Sequence, residues 1–402
     1  MRINILAAAI CAMCAAPALA QSSITIYGIA DVGVQVSNFG KGAQYNLSSG
    51  IADGSRLGFK GTEDLGGGYK AMFVMESRIE IDTGGQSNGM IGTGIGQGLT
   101  RGLPPTVAAQ LTPVLQPVKV VNPTGAGFDR SSYVGLVTPA GAILMGRQYT
   151  PDYEVVAMTD TFETGFAGGW GNILGGTGGF ITAGTAIRAN QAVQYRMQLP
   201  SGFGASAMYA FQETGSLNLS RKFWGGNLRY QANGWNVGLA YNREHDQSGN
   251  LSLQSLTLGG SYVIGNAKVF AGYHRMKNDH SALVPLLTPV LGATAAGIVG
   301  ENAKLDGETL TVGMHYRIGS GRIMAAISRT NDKRPTNNDV TLYGLGYDYD
   351  LSKRTDLYIA LARAVNQHAS QYALGGAGYF GGFTEQPGQN ANVLQIGMRH
   401  RF

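Results

Sequence analysis

From Ser23 to Phe402 the chain is patterned in twos. In Trp235-Asn236-Val237-Gly238-Leu239-Ala240-Tyr241-Asn242 the odd positions are large and apolar and the even ones small or polar, as in a strand whose two faces meet unlike surroundings. The alternation continues through Leu256 to Tyr262, Leu310 to Arg317, Tyr343 to Tyr349 and Leu394 to Phe402. Sixteen such runs are predicted, starting near Ile24, Gly54, Tyr69, Arg130, Gly141, Asn190, Phe203, Phe223, Trp235, Gln254, Ala267, Glu308, Gly321, Asp339, Thr355 and Ala391. Seven connections are turn-like, at 63–68, 138–140, 200–202, 233–234, 265–266, 319–320 and 351–354, and those between them are mostly long, notably 82–129, 149–189, 277–307 and 365–390. An even strand count with short turns at one end and long loops at the other predicts an all-β transmembrane antiparallel barrel of sixteen strands. The aromatics agree. Tyr209, Phe211, Tyr230, Trp235, Tyr241, Tyr262, Tyr273, Tyr316, Tyr343 and Tyr347 share parity with the aliphatic residues, mostly near run ends, as interfacial girdles require. Closure removes sheet edges that lipid would not tolerate, and a barrel of this size holds water.

Composition narrows the alternatives. The chain has 61 Gly in 402 residues, too many for a helical bundle, since each Gly inside a helix costs roughly 1 kcal/mol. With 44% hydrophobic residues it is not a disordered chain either. Residues 1–20 read as a cleaved secretory signal: Met1-Arg2 is a basic start, Ile3 to Ala16 an apolar stretch, and Ala18-Leu19-Ala20 a cleavage site before Gln21. Cys11 and Cys14 both lie in that segment, so a mature chain of 21–402, a single barrel domain, has no thiol, disulfide or Cys-based metal site.

Residues 282–300 carry no charge and are long enough to span a bilayer as a helix. Pro285, Pro289, Gly292 and Gly297 interrupt them, so the expectation is a loop. The segment also holds an internal repeat, because Leu111-Thr112-Pro113-Val114-Leu115 recurs as Leu287-Thr288-Pro289-Val290-Leu291. That repetition predicts two loops with related packing roles.

Several motifs carry a family resemblance: Ser23-Ile24-Thr25-Ile26-Tyr27-Gly28; the stretch from Ser55-Arg56-Leu57-Gly58-Phe59 to Gly68; Ser132-Tyr133-Val134-Gly135-Leu136; Met145-Gly146-Arg147-Gln148-Tyr149; Arg354 to Tyr358 followed by Ala362-Arg363; and the closing Gly397-Met398-Arg399-His400-Arg401-Phe402. The chain resembles the general porins of beta- and gamma-proteobacteria, especially the trimeric anion-selective porins of the Comamonas, Bordetella and Burkholderia group. The resemblance implies a homotrimer in the outer membrane, with periplasmic turns, extracellular loops and no cofactor. It also implies passage of small anions and hydrophilic solutes, and a terminal Phe402 offered to the barrel-assembly machinery. Residues 149–189, the third loop, would fold into the pore, and 82–129 would latch onto a neighbouring subunit.

Parity assigns candidate lumen residues independently. Leu57, Phe59, Ala71, Phe73 and Met75 share the apolar face, which turns Arg56, Lys60, Lys70, Glu76 and Arg78 to water. Val193, Tyr195 and Met197 do the same for Gln194, Arg196 and, further upstream, Arg188, while Arg130 is opposite in parity to Tyr133. An arginine facing lipid at the midplane would cost roughly 2 to 4 kcal/mol. With the third loop folded inward as the resemblance implies, Arg56, Arg130 and Arg188 line a constriction, with Glu76 and Asp152 beside them and Asp160 and Glu163 on the loop. Guanidinium groups stay charged, and a ring of them in a narrow aqueous throat attracts anions. In the competing reading the arginines brace the wall by pairing with Glu76, Asp152, Asp31, Asp160 or Glu163.

Other chemistry lacks its pattern. The six His are scattered without metal-ligand spacing, Gly92 to Gly98 alternates glycine outside any strand–helix context, and no Gly-x-Ser-x-Gly occurs. The basic balance of +5 suits lipopolysaccharide phosphates at the rim better than nucleic acid. The expectation is a non-enzymatic diffusion channel. A surface adhesin displayed on a barrel scaffold is the alternative, and a secreted soluble hydrolase conflicts with the lipid-facing parity.

Overall fold

A computed structural model of the chain describes residues 23–86, 97–115, 127–174, 187–211, 222–245, 249–278, 280–281, 283–379 and 381–402. The expected signal segment lies outside the described residues. The strands are β1 (Ser23–Asn38), β2 (Gln44–Ser49), β3 (Arg56–Gly66), β4 (Tyr69–Arg78), β5 (Ser132–Thr138), β6 (Gly141–Tyr149), β7 (Arg188–Gln198), β8 (Phe203–Ala210) and β9 (Lys222–Ala232). They continue with β10 (Trp235–His245), β11 (Leu251–Ile264), β12 (Ala267–Asn278), β13 (Leu305–Ile318), β14 (Gly321–Asp332), β15 (Val340–Asp350), β16 (Thr355–Asn366) and β17 (Ala391–Arg401). All pair antiparallel in one sheet, and β17 returns to β1 to close it, from Ile29 opposite Arg401 to Asn38 opposite Asn392.

These strands make sixteen staves. On its edge away from β17, β1 pairs with β3 along Ser23 to Ile29 and with β2 along Val32 to Ser37. One stave is therefore built in two pieces, and residues 50–55 between them leave the wall. The sequence reading placed the second run at Gly54 and missed β2, although Tyr45 and Leu47 already alternate with polar neighbours. The other expected starts fall within three residues of the observed ones. Alternation holds as expected: Leu258, Leu310 and Val312 are more than half exposed on the outer face, while Thr257, Thr309 and Thr311 beside them are buried inside.

The long connections are partly helical. Helices α1 (Gln97–Thr100) and α2 (Pro105–Leu115) lie between β4 and β5, α3 (Pro151–Thr159) between β6 and β7, and α4 (Leu283–Asn302) between β12 and β13. The last corrects the expectation of a loop at 282–300. Gly292, at φ 75°, divides it into two helical pieces, so the prolines and glycines shorten the helix without abolishing it. No described helix is long and apolar enough to cross a membrane. The repeated motif does pack on itself: Leu111 and Leu287, one from each copy, are fully buried in one apolar cluster with Leu99, Ala296, Val299 and Phe383. Asn302 fixes the contact by donating to the carbonyls of Leu99 at 3.1 Å and Arg101 at 2.9 Å. The described part of 82–129 thus docks on a loop of its own barrel.

Between β6 and β7 the chain turns into the lumen and runs along the inner wall, where the wall has lost its side chains. Gly238, Gly259 and Gly272 are opposite one another on β10, β11 and β12, and Gly313 and Gly344 continue the row on β13 and β15 through Ala326. A Cβ on Gly238 would lie 3.0 Å from Val155, on Gly259 2.6 Å from Thr159, and on Gly344 2.6 Å from Phe162. These positions are conformationally ordinary; glycine serves here by its small volume. The change Gly272→Val would place its Cβ 2.3 Å from Thr159 and is expected to lift the inner loop off the wall while leaving barrel formation intact. Single-channel recordings should then show an altered conductance with noisier openings, and heat-modifiable electrophoretic mobility should confirm the folded barrel.

Candidate functional site

The first half of the inner loop is fastened to the wall and braced internally by its own carboxylates. Thr150 caps α3 by accepting from the Tyr153 amide at 3.3 Å, with Pro151 opening the helix. On the helix's first turn Asp152 accepts from the Thr257 hydroxyl at 2.6 Å, with the His274 ring 3.9 Å away. Glu154 takes Arg196 and the Asn227 amide, at 2.9 Å for the latter, with Arg229 at 3.8 Å. Past the helix, Asp160 accepts from the amides of Phe162 and Thr164 at 3.0 and 3.1 Å, and burial pushes its carboxyl up to about 7. Glu163 stays open to the lumen, and the hydrogen bonds and charge of Arg322, at 2.5 and 2.8 Å, hold it down at about 2. Each of these four loop carboxylates is therefore engaged.

A second inward segment faces the loop. Residues 50–55 are held by Asp31, a fully buried acid of β1 whose carboxylate accepts from three successive amides: Ile51 at 3.2 Å, Ala52 at 3.0 Å and Asp53 at 2.7 Å. The Tyr358 hydroxyl donates to it as well, at 2.7 Å. The carbonyl of Ile51 in turn accepts from the amides of Phe166, on the inner loop, at 2.8 Å and Ala377, beyond β16, at 3.1 Å. Three non-adjacent stretches of chain are locked together at this point.

Between them the arginines meet. Arg56 pairs with Asp53 and donates to the Gly54 carbonyl at 2.9 Å, and its Nη1 lies 3.8 Å from Glu76. Nε of Arg130 lies 3.9 Å from the same carboxylate, and its Nη2 donates to the Tyr149 hydroxyl at 3.3 Å. Arg188 donates to that hydroxyl at 2.7 Å while its guanidinium carbon sits 4.4 Å from the Tyr149 ring centroid, a cation–π contact. The Tyr149 ring stacks on Tyr153 of α3 at 5.2 Å. Arg56, Arg130 and Arg188 thus surround one tyrosine and one glutamate, and all three line a cavity of about 620 Å³ with Asp53, Thr164 and Tyr379.

A family model described as Gram-negative porin matches residues 7–369. The protein belongs to the Gram-negative porin family. Outer membrane porin protein 32 of Delftia acidovorans is 29% identical over the full length of both chains, and an outer membrane porin protein of Bordetella pertussis is 27% identical, also over both full lengths. Among solved structures, the anion-selective porin from Comamonas acidovorans superposes with a TM-score of 0.69 at 26% identity, covering 95% of this chain and all of that one. The porin is thus an integral outer-membrane barrel that forms a channel.

The remaining sequence candidates are dispersed along the porin's inner wall. Arg78 binds Glu80 and the Gly378 carbonyl, and Arg196 is tied to α3 through Glu154. Lys60 lies 5.0 Å over the Tyr27 ring, whose hydroxyl donates to Glu76 at 3.1 Å. Lys70 is exposed near the short-turn end, opposite Val137. Arg130 faces inward for a different reason from the one the sequence suggested. Val134 and Leu136 face out, which puts Tyr133 on the inner face, and Arg130 is turned in by the bend before β5, where its amide donates to the Glu76 carbonyl at 3.2 Å. Sequence reasoning missed Tyr149 as the centre of the cluster and Asp53 as the partner of Arg56. It also missed Asp31 as a clamp, and the available signal was a lone acid at an inward position of β1. Replacing Asp31 by Ala would leave three buried amides without an acceptor, a loss on the order of 3 kcal/mol. Urea unfolding in detergent, followed by tryptophan fluorescence, should report that drop.

Proposed function

We propose that this porin is a passive diffusion channel that prefers small anions, and that Arg56, Arg130 and Arg188 form its constriction. One observation carries this reading: Arg56 and Arg130 approach the carboxylate of Glu76, Arg130 and Arg188 share the Tyr149 hydroxyl, and the carboxylates of the inner loop are each bound elsewhere. Asp53 offsets Arg56, and Arg399 draws on Asp53 too, at 3.6 Å, so the throat keeps an excess of positive charge. In a narrow space between low-dielectric walls that excess acts on a passing ion at short range and with little screening. Small carboxylates, chloride and phosphate would pass more readily than potassium or sodium. The anion selectivity in the name of the Comamonas acidovorans porin belongs to that protein and agrees with the reading. A homotrimer is part of the same proposal, as is assembly through Phe402.

In a planar bilayer under a potassium chloride gradient, the reversal potential should lie on the chloride side. Replacing Arg56, Arg130 and Arg188 together by Gln should lower the anion-to-cation permeability ratio severalfold. An unchanged ratio would reduce the three to wall braces. The change Glu76→Gln removes the shared negative charge and should move the ratio the opposite way, toward stronger anion preference, in the same measurement.

A further inference from the structure

Helices α1 and α2 belong to the connection between β4 and β5, and α4 to the connection between β12 and β13, at the same end of the barrel. Around the closed sheet β12 is eight staves from β4 in either direction, so the two connections rise from opposite sides of the wall. With neighbouring strands about 4.8 Å apart and tilted, sixteen staves make a cylinder roughly 30 Å across. Contact between these helices is therefore reached only by crossing a large part of the opening.

They do touch. Leu99 and Leu111 from one side and Leu287, Ala296 and Val299 from the other are buried together, with Leu103 and Leu291 packed at the edge. Phe383, from the connection between β16 and β17, joins the same cluster and fixes its position. The Phe383 side chain also lines the cavity that holds Arg56, Arg130 and Arg188, so the cluster stands over the lumen rather than along the rim. Polar contacts pin the footings. Asn302 binds the carbonyls of Leu99 and Arg101, and Arg334, paired with Asp332 at 2.8 Å, donates to the carbonyls of Asn302 and Lys304. Two residues beyond Phe383, the Glu385 amide donates to the Phe39 carbonyl at 2.8 Å.

The span itself is neutral: residues 102–115 and 282–300 contain no Asp, Glu, Lys or Arg. Without fixed charge it neither steers nor repels an ion at a distance, and it acts on solutes by its bulk. We propose that α1, α2 and α4 form a bridge across the channel mouth that sorts solutes by size before the arginine cluster sorts them by charge. Small solutes pass around its flanks and bulky ones are held outside. The bridge lies above the throat, and its test does not depend on the charge there.

Neutral polyethylene glycols of graded mass, added to one side of a planar bilayer, lower the single-channel conductance only when they enter the channel from that side. For the whole porin, the largest glycol that enters from the loop side should have about half the mass of the largest that enters from the turn side. The combined change Leu111→Asn and Leu287→Asn puts amides into the apolar cluster and should raise the loop-side limit about twofold. The turn-side limit and the ion selectivity should stay as they were, with heat-modifiable mobility confirming the folded barrel. Asn302→Ala, which removes two hydrogen bonds, should raise the loop-side limit less and serves if the double variant misfolds. Equal limits from the two sides in the wild type, or an unchanged loop-side limit in the folded variants, would overturn the proposal. So would a joint shift of both limits, which would place the effect in the throat.

Discussion

A strand inside a membrane has no water to satisfy an unpaired edge, so every backbone donor and acceptor there must find a partner in the protein. The pairing of β1 with β17 meets that demand, and much else follows from it. Once the sheet is closed, its outer side chains meet hydrocarbon and its inner ones meet water, which forces strict alternation on every strand. At sixteen staves the cylinder is too wide for side chains alone to fill. The chain spends its longest inward connection narrowing the space that closure creates.

The narrowing is as much a matter of hydrogen bonding as of packing. Asp31 lies in the wall and gathers three amides of residues 50–55, and the carbonyl of Ile51 passes that order on to the inner loop and to the segment after β16. Of the inner loop's carboxylates, Asp152, Glu154 and Glu163 meet a threonine or arginine of the wall, and Asp160 braces the loop's own amides. The loop's acids are thereby paired apart from Arg56, Arg130 and Arg188.

The strands and their faces were legible in the sequence because a period of two survives wherever one face meets lipid and the other water. Legibility failed where that contrast was absent. Tyr133 looks like a girdle residue, yet it is inward, because the polar interior of a wide barrel also accepts a phenol. The helices at 105–115 and 283–302 were hidden by their prolines and glycines, which break long helices but permit short ones packed against each other. Their common burial was foreshadowed only by the repeated Leu-Thr-Pro-Val-Leu. The arginines could be assigned to the lumen one strand at a time. Their gathering around Glu76 and Tyr149 could not, since it depends on the path of a loop whose contacts lie far away in sequence.

The row from Gly238 to Gly344 gives the wall a memory of its contents. The barrel bears the imprint of the loop as a shallow trench, cut by omitting side chains where the two must touch. The bore of the channel is consequently fixed by thickness on both sides, and a trench one strand shorter or two residues higher would seat the same loop elsewhere. A single methyl group added in the trench would act on the aperture from behind, at a place no solute visits.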